Sequence, residues 1–410
     1  MIDVAIMGHG VVGSGVAEIL ISHRESIAAK AKNEINIKYI LDLRDFDGLE
    51  YSNKFIKDFN LILRDPDIRV VIEVMGGINP AYDFVKSCLL SGKSVVTSNK
   101  ELVAAKGAEL LKIANEKNVN FLFEASVGGG IPVLRPIAQC LAANELTEIV
   151  GILNGTTNFI LTKMIKENMA FTDALKLAQK LGYAEKDPTA DIEGHDACRK
   201  ICILASLGFG KHVYPEQVAT EGITNIGLDD VDYADKFNYV IKLIGHAKKL
   251  DNGQITANVY PALISRNNML SGVSDVFNAV MVYGDAIGEV MFYGRGAGKS
   301  PTASAVVADV IDCVKHLVAR KYLSWNDGNA DYVADSCTAL TKLYIRIKAD
   351  DIQNICNQID NVFGKDTFKI KNNDENEVIF ITEYDIESKL KSNLEKLKGV
   401  TSAKVLHVLD

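Results

Sequence analysis

A glycine-rich turn at the start of the chain constrains the fold more than any other feature. The apolar run of residues 2–8 leads into GHGVVGSG, and residues 11–30 then show a helical pattern. In a strand–turn–helix setting, glycines let the backbone approach a pyrophosphate, whose charge faces the amides at the helix N-terminus. The same pattern also occurs as a purely structural turn. The candidate cofactor-binding residues are Gly8, Gly10, Val11, Val12 and Gly13.

The segments that follow repeat the alternation between apolar runs and helices. Apolar runs occupy 35–42, 70–77, 94–99 and 120–126, and helical patterns separate them at 52–63, in PAYDFVKSCLLSG and at 101–117. Strands that are apolar throughout are typical of a sheet covered on both faces, so we predict an α/β fold with a parallel, Rossmann-type sheet. This NAD(P)-binding domain would span residues 1–126 and be completed by a helix at 301–320.

Beyond Ser126, helices and strands are grouped rather than alternating. A strand is predicted at 146–154, with helices at 156–167, 172–181 and about 194–207. Strand-like runs return at 255–265, 276–283 and 288–293. This grouping predicts an α+β domain over 127–300, which we assign to substrate binding and dimerisation.

The remaining residues divide into a polar stretch and a small domain. Residues 321–334 are polar enough to form a linker, and 335–410 follow the order strand, helix, strand, strand, helix, strand. This βαββαβ order predicts a ferredoxin-like fold. No residue in this domain indicates chemistry, so we expect it to serve regulation or assembly.

Composition excludes several classes of function. A net charge of −8 and a pI near 5.5 argue against nucleic-acid binding, because phosphate binding requires a basic face. The seven cysteines are scattered without a CxxC pair, which favours reduced thiols in the cytoplasm. No segment approaches ~18 uninterrupted apolar residues, so we expect no membrane partner. The partners that we predict are a small-molecule substrate and further copies of the chain, in a homodimer or homotetramer.

The coenzyme is less constrained than the turn that would bind it. Asp42 and Arg44 both lie in ILDLRD, near the end of the second predicted strand. An acid at this place binds the ribose of NAD, whereas an arginine accommodates the 2′-phosphate of NADP. The sequence therefore leaves NAD and NADP open, with Arg44 as the candidate residue for NADP.

A second glycine-rich segment, YGRGAGKS at 293–300, is not a phosphate-binding P-loop because Tyr293 stands where the first glycine is needed. It predicts instead a helix capped by Ser300, with Pro301 as its first residue. Such a helix start can still meet a cofactor, so Gly298 is a further candidate.

A crowded acidic stretch, GYAEKDPTADIEGHDACRK at 182–200, precedes an almost wholly apolar run. Asp196 and Lys200 are four residues apart on a helix that is otherwise apolar, so they share one face of a helix that we expect to be buried. Because a buried ion pair is often a net cost, this pair suggests use in chemistry. A satisfied structural pair at a helix start is the alternative.

The same stretch resembles the signature of the homoserine dehydrogenases. Its fixed positions run from Ala178 through Gly182-Tyr183-Ala184, Asp187-Pro188, Asp191-Ile192, Gly194 and Asp196 to Lys200. Further similar segments are GHGVVG at 8–13, EVMGG at 73–77, VVTSNK at 95–100, EASVGGGIPV at 124–133 and GILNGTTNFI at 151–160. The resemblance covers residues 1–320 and implies NAD(P)-dependent interconversion of L-aspartate 4-semialdehyde and L-homoserine, in the biosynthesis of threonine, methionine and isoleucine.

The resemblance also implies a role for particular residues. Lys200 would donate a proton to the substrate oxygen with Asp196 orienting it, and Lys100 would act near the nicotinamide and the substrate. Which lysine moves the proton stays open, and Lys100 could instead be a solvated lysine at a helix start. The implied substrate-binding residues are Glu185, Asp191, Asp196, Gly155 and Thr156, the last of which could equally be a helix cap. Gly76 and Lys100 would contact the cofactor.

The segment EASVGGGIP resembles a monovalent-cation loop of the family. The resemblance implies a structural sodium ion held by Glu124, Val127, Gly129 and Ile131, mostly through backbone carbonyls. From the residues alone, the segment is only a glycine-rich turn.

The C-terminal domain resembles an ACT domain, which in this family can bind threonine as an inhibitor. However, KADDIQNIC at 348–356 stands where the usual Asp-x-Pro-Gly turn would follow the first strand. Without that glycine, close approach of an amino acid to the backbone is hindered. We therefore expect the domain to support dimerisation, with weak or absent threonine inhibition.

Two other classes of protein compete with this interpretation. A different Rossmann-type amino-acid dehydrogenase should lack the Asp196–Lys200 signature. A non-enzymatic nicotinamide sensor, with the C-terminal domain as its output, would not need both Lys100 and Lys200.

Overall fold

The structure is a computed structural model that describes residues 1–318, 323–365, 367–372 and 374–410. The chain forms two compact units. The first comprises Met1–Ile149, Arg199–Gln217 and Asn278–Ala330, and the second comprises Val150–Cys198, Val218–Phe277 and Asp331–Asp410.

Strands and helices are numbered here in chain order. The strands are β1 (Ile2–Met7), β2 (Ile35–Leu41), β3 (Phe55–Ile56), β4 (Ile68–Glu73), β5 (Ser94–Thr97), β6 (Phe121–Leu122), β7 (Leu146–Ile152), β8 (Ala219–Thr220), β9 (Tyr239–Lys249), β10 (Ile255–Ser265), β11 (Phe277–Gly284), β12 (Gly288–Arg295), β13 (Leu340–Ala349), β14 (Lys369–Asn372), β15 (Glu377–Ile381), β16 (Asp385–Ile386) and β17 (Val400–Leu409). The helices are α1 (Val11–Ser22), α2 (Arg24–Ala31), α3 (Phe59–Arg64), α4 (Ala81–Leu90), α5 (Lys100–Glu116), α6 (Gly155–Glu167), α7 (Phe171–Lys180), α8 (Thr189–Ile192), α9 (His195–Phe209), α10 (Leu228–Lys236), α11 (Lys299–Lys315), α12 (Ile352–Phe363) and α13 (Glu387–Glu395).

The first unit is built on a parallel sheet in the order β3-β2-β1-β4-β5-β6. Val4–Met7 of β1 are fully buried, as expected of a central strand covered on both faces. The order reverses between β1 and β4, and in open α/β sheets ligands bind outside the carboxyl ends of the strands at such a point. The α/β class and the Rossmann-type sheet that the sequence predicts are confirmed.

The second unit contains a mixed sheet in the order β9-β10-β17-β13-β15-β14. Strands β9 and β10 form a long antiparallel pair, from Tyr239 opposite Ser265 to Lys249 opposite Ile255. The last strand, β17, lies parallel to β10 on one side and antiparallel to β13 on the other. The order β17-β13-β15-β14, with α12 and α13, matches the βαββαβ fold predicted for residues 335–410.

The sequence-based assignment of residues 52–63 is wrong in part. The helix predicted at 52–63 is a single 3₁₀ turn at Ser52–Lys54, then β3, then α3. Phe55 pairs with Ile40 of β2, and Asp58 begins α3 by accepting the amide of Asn60. Pairing in the sheet and this N-cap therefore divide a segment whose apolar spacing alone suggests one helix.

The region after α11 also differs from its prediction. The helix predicted at 301–320 is α11, which ends at Lys315, while residues 319–322 lie outside the described residues. The described part of the predicted linker, 323–334, contains buried Leu323, Trp325 and Tyr332. Trp325 donates from Nε1 to Nδ1 of His212 at 2.9 Å, which anchors this residue within the first unit, whereas Tyr332 belongs to the second unit.

Candidate functional site

The glycine-rich turn has the geometry that a bound pyrophosphate requires. Gly8 has φ +98° and donates its N–H to the Leu41 carbonyl at 2.8 Å. A Cβ on Gly13 would lie 2.0 Å from the Gly8 carbonyl oxygen, so only glycine fits there. A Cβ on Gly10, by contrast, would meet open space. Helix α1 begins just after Gly10 without a side-chain cap, which fits a diphosphate at its N-terminus.

The end of β2 brings Asp42 and Arg44 together. The Asp42 carboxylate accepts the backbone N–H of His9 at 2.8 Å and the Arg44 guanidinium at 2.9 and 3.0 Å. The hydrogen bonds from Arg44 hold the pKa of Asp42 well below its usual range. Both residues line a cavity of about 430 Å³, whose other lining residues include Gly8, Gly10 and Lys57.

Lys100 is the first residue of α5 and is half-buried. The preceding residue, Asn99, caps the helix by accepting the Leu102 N–H at 3.1 Å. Asn99 also donates from Nδ2 to the carbonyl of Gly77 at 2.6 Å. The structure thus ties the start of the Lys100 helix to the turn that contains Gly76, the other residue that the resemblance implies near the cofactor.

In the second unit, Asn154 joins two of the predicted acids. Its Nδ2 donates to Asp191 at 2.7 Å and to Asp196 at 2.9 Å, while its Oδ1 accepts the Thr157 N–H and caps α6. Asn154 is buried, and sequence reasoning missed it. The available signal was an asparagine directly before the helix in LNGTTN, because asparagine is a preferred N-cap.

The other predicted substrate residues of this unit have different environments. Gly155 is the first residue of α6, and the Thr156 hydroxyl donates to the Tyr183 carbonyl at 2.7 Å. Glu185 is exposed. Its carboxylate therefore remains accessible to a soluble ligand, whereas Asp196 is held from within the protein.

The acid–amine pair on α9 is buried, as its sequence pattern predicts. Asp196 is 5% exposed and Lys200 is 6% exposed. They lie one turn apart on a helix whose neighbouring residues Ala197, Ile201 and Cys202 are also buried. Two ionisable groups in such an environment need specific interactions to offset the loss of hydration.

The glycine-rich segment after β6 surrounds a buried carboxylate. Glu124 accepts the backbone N–H groups of Val133, Leu134 and Arg135 at 2.6, 2.9 and 2.7 Å. A carboxylate has about four lone-pair directions, and these amides account for three of them. Among the described residues no group of three or more His, Cys, Asp or Glu could hold a metal ion.

Gly298 lies at the N-terminus of α11, but the predicted cap is wrong. The helix begins at Lys299 with Gly298 as N-cap at φ +122°, so Ser300 and Pro301 fall inside the first turn. Pro301 is tolerated there because the first N–H groups of a helix have no partner within it.

These features define the first unit as a dinucleotide-binding domain of the kind found in nicotinamide-dependent oxidoreductases. Two family models match the chain: "Homoserine dehydrogenase, NAD binding domain" over residues 8–124 and "Homoserine dehydrogenase" over residues 132–311. The chain belongs to the homoserine dehydrogenase family. It is an NAD(P)-dependent oxidoreductase that acts on a CH–OH group.

Relatives and solved structures agree with this assignment. The chain is 36% identical over 417 residues to a homoserine dehydrogenase of Neisseria gonorrhoeae, covering 97% of this chain and 95% of the relative. It is 44% identical over 319 residues to one of Bacillus subtilis, covering 77% and 73%. A homoserine dehydrogenase structure from Thiobacillus denitrificans matches with a TM-score of 0.90 and 35% identity, covering 100% of this chain and 98% of that chain.

One solved relative contains a nucleotide, and the helices of this structure bear on membrane association. A hyperthermophilic archaeal homoserine dehydrogenase mutant, solved in complex with NADPH, matches with a TM-score of 0.66 and 30% identity over 76% of this chain and 97% of that one. In the part of the chain that the structure describes, no helix has the length and apolar character needed to cross a bilayer.

Proposed function

We propose that Lys200 is the proton donor in the interconversion of L-aspartate 4-semialdehyde and L-homoserine, with Asp196 orienting it. The observation that carries this proposal is the burial of both groups one turn apart on α9, with Asp196 held by Asn154. A buried acid–amine pair is costly to maintain, which favours a catalytic role over a structural one.

A nicotinamide coenzyme held at the turn of Gly8, Gly10 and Gly13 would supply the hydride in one direction and accept it in the other. As the aldehyde carbon gains hydride, its oxygen becomes an alkoxide and needs a proton. The Lys200 ammonium gives that proton and becomes a neutral amine; in homoserine oxidation the neutral amine takes the hydroxyl proton back. Lys100 supplies a second positive charge, which stabilises the developing oxyanion.

The substrate is a free amino acid, so its two charged ends need opposite partners. We assign its ammonium group to the carboxylates of Glu185, Asp191 and Asp196. We assign its carboxylate to the first amides of α6, at Gly155 and Thr156, because a helix N-terminus attracts anions. The Thr156 hydroxyl is already donated to Tyr183, so Thr156 would act through its backbone.

For the coenzyme, we propose a preference for NADP(H) over NAD(H). Asp42 already accepts hydrogen bonds from His9 and Arg44, so its carboxylate is less available for ribose hydroxyls. Arg44 and Lys57 place two cationic side chains at the same cavity. A 2′-phosphate would be met by these cations, and the Arg44 guanidinium would exchange its hydrogen bonds to Asp42 for bonds to that phosphate.

We further propose that a sodium ion binds at the Glu124 loop, with the carbonyls of Val127, Gly129 and Ile131 as ligands. The remaining lone-pair direction of Glu124 and hard carbonyl oxygens suit such an ion. Its role would be structural. We also propose a homodimer or homotetramer in the cytoplasm, with residues 335–410 contributing to assembly; light scattering on the purified protein tests the assembly.

The decisive experiment is homoserine-dependent reduction of NADP and NAD by wild type and Lys200→Ala. We expect near-total loss of turnover with an unchanged circular dichroism spectrum. The matched control is Lys186→Ala, which removes an exposed lysine from the same stretch and should keep the wild-type rate. A Lys200→Ala enzyme that keeps its rate would remove Lys200 from the mechanism.

A further inference from the structure

Glu73, the last residue of β4, is a carboxylate that the mechanism above does not use. Its side chain is fully buried, at 0% exposure. Burial raises the pKa of Glu73, and hydrogen bonds from Thr97, Met75 and Gly76 act against that rise. Burying a carboxylate costs free energy because the group loses its hydration. The hydrogen bonds that offset this cost therefore indicate the role of Glu73.

One oxygen of Glu73 shapes the turn that follows β4. Oε1 accepts the backbone N–H groups of Met75 at 2.8 Å and Gly76 at 3.3 Å. The turn continues through Gly76 and Gly77 with φ values of +80° and +70°. The carboxylate thus supplies an acceptor for the two amides with which this turn begins.

The other oxygen connects Glu73 to the start of α5. Oε2 accepts the Thr97 hydroxyl at 2.6 Å, and the Thr97 oxygen in turn accepts the Asn99 N–H at 2.9 Å. Asn99 donates from its side chain to the Gly77 carbonyl and caps the helix that begins at Lys100. The hydrogen bonds therefore close a ring from Glu73 through both turns and back.

We propose that Glu73 is a positioning residue that fixes Lys100 relative to the Gly76–Gly77 turn, acting through Thr97 and Asn99. The inference rests on the proposed catalytic role of Lys100. Glu73 does not touch the reacting atoms; it sets the place of a group that does.

Strand pairing alone does not explain this ring. Glu73 and Thr97 are already neighbours in the parallel register of β4 and β5. The added side-chain bonds act beyond the strand ends, on the two turns at the carboxyl edge of the sheet, where a dinucleotide domain binds its ligand. A displacement of about 1 Å in a catalytic group can cost roughly a hundredfold in rate, so loss of this ring should lower the rate.

The test compares Thr97→Val, which removes the linking hydroxyl, with Thr97→Ser, which keeps it. At saturating nucleotide we expect Thr97→Val to lower kcat by roughly tenfold, with the KM for homoserine little changed and with Thr97→Ser close to wild type. Glu73→Gln is the second variant, in case Thr97→Val folds poorly. It should also lower kcat, because its amide cannot accept all three donors.

The outcomes separate this inference from the proposed function. If Lys100→Ala is inactive but Thr97→Val and Glu73→Gln keep the wild-type kcat, the positioning role is overturned and the role of Lys100 stands. If the variants lose rate only in proportion to lost folded protein, measured by circular dichroism, the ring serves the fold alone and the inference also fails. If Lys100→Ala keeps its turnover, the proposed role of Lys100 is wrong, and the positioning role of Glu73, which rests on it, is wrong as well.

Discussion

The side-chain amide of Asn154 donates a hydrogen bond to the carboxylate of Asp196 at 2.9 Å, and both side chains are buried. The same amide reaches Asp191 at 2.7 Å. One neutral residue thus sets the orientation of two acids that are separated from it by more than thirty residues of sequence.

Replacing Asn154 tests whether these acids bind the substrate. In Asn154→Ala we expect the KM for homoserine to rise roughly tenfold, because Asp196 loses a buried donor. The KM for the nucleotide should not change. Loss of the helix cap should also lower the free energy of unfolding by about 1 kcal/mol. The control is Asp351→Ala, which removes the cap of α12 and should cost stability without changing either KM. Equal KM values for homoserine in both variants would contradict the prediction.

The two loop glycines Gly10 and Gly13 should respond differently to alanine. Gly13→Ala forces a Cβ against the Gly8 carbonyl, so we expect a loss of stability of roughly 1–3 kcal/mol or more, seen as a lower melting temperature. Gly10→Ala meets no protein atom and has an ordinary φ of −80°, so its melting temperature should stay near that of wild type. Its nucleotide KM should rise, because the methyl group occupies the approach to the helix N-terminus. An unchanged nucleotide KM in Gly10→Ala would place the diphosphate elsewhere.

Removing Arg44 tests the coenzyme preference. In Arg44→Ala we expect kcat/KM for NADP to fall roughly tenfold, because a charge-assisted contact to the 2′-phosphate is lost, while kcat/KM for NAD stays the same or improves. Parallel assays with both coenzymes measure this ratio. Arg64→Ala, which removes an exposed arginine at the end of α3, should leave the ratio unchanged. A wild type that prefers NAD would contradict the proposal at once.

Lys242 gives the second unit a distinctive dependence of stability on pH. Its ammonium donates to Asn158 at 3.1 Å and to the Val273 carbonyl at 2.6 Å, and burial lowers the pKa of Lys242 to about 8. Between this value and the ordinary lysine pKa, the unfolded chain binds more protons than the folded one. Stability from this group therefore rises with pH, by roughly 3 kcal/mol across that window.

Lys242→Met should remove this pH dependence. We expect the melting temperature of wild type, relative to Lys242→Met, to increase as pH rises from 8 towards 10. Lys180→Met, at an exposed lysine of α7, should show no such trend. A wild-type advantage that shrinks over the same range would show that Lys242 is not buried with a lowered pKa.

Threonine should inhibit the enzyme weakly or not at all. Between β13 and α12 the chain has Asp350 and Asp351 rather than a glycine, and Asp351 uses its side chain to cap α12. An amino-acid effector could therefore not approach the backbone closely at this turn, and the Asp351 carboxylate is already used to cap the helix. Titration of threonine against homoserine oxidation measures the effect, with leucine as the control. Strong inhibition at sub-millimolar threonine would contradict the prediction.

Much of the first unit follows from the sequence because its information is local. A strand apolar throughout, such as Val4–Met7, has few alternatives once a glycine turn and a helix follow it. The burial of Asp196 and Lys200 was equally predictable, since the apolar residues around them leave no solvated face. Their contacts with distant residues were not.

The missed features depend on partners far along the chain. Strand β9 was not predicted, because YVIKLIGHAKK carries a lysine, a glycine and a histidine that interrupt its apolar pattern. It is stabilised by pairing with β10 along its whole length and by acceptors for Lys242 on α6 and at Val273. Asn154 and Glu73 were missed for the same reason. Each side chain hydrogen-bonds to residues of two different segments, and these contacts become visible only once the chain is folded.

The position of β17 changes how residues 335–410 should be regarded. This strand lies between β10 and β13 and bonds to both, so the final segment of the chain fills the interior of a sheet. A protein shortened before Val400 would leave the edge of β10 at Ala262–Ile264 without its partner strand. Open strand edges tend to pair with strands of other molecules. Loss of the last strand would therefore also require changes that cover or block the exposed edge of β10.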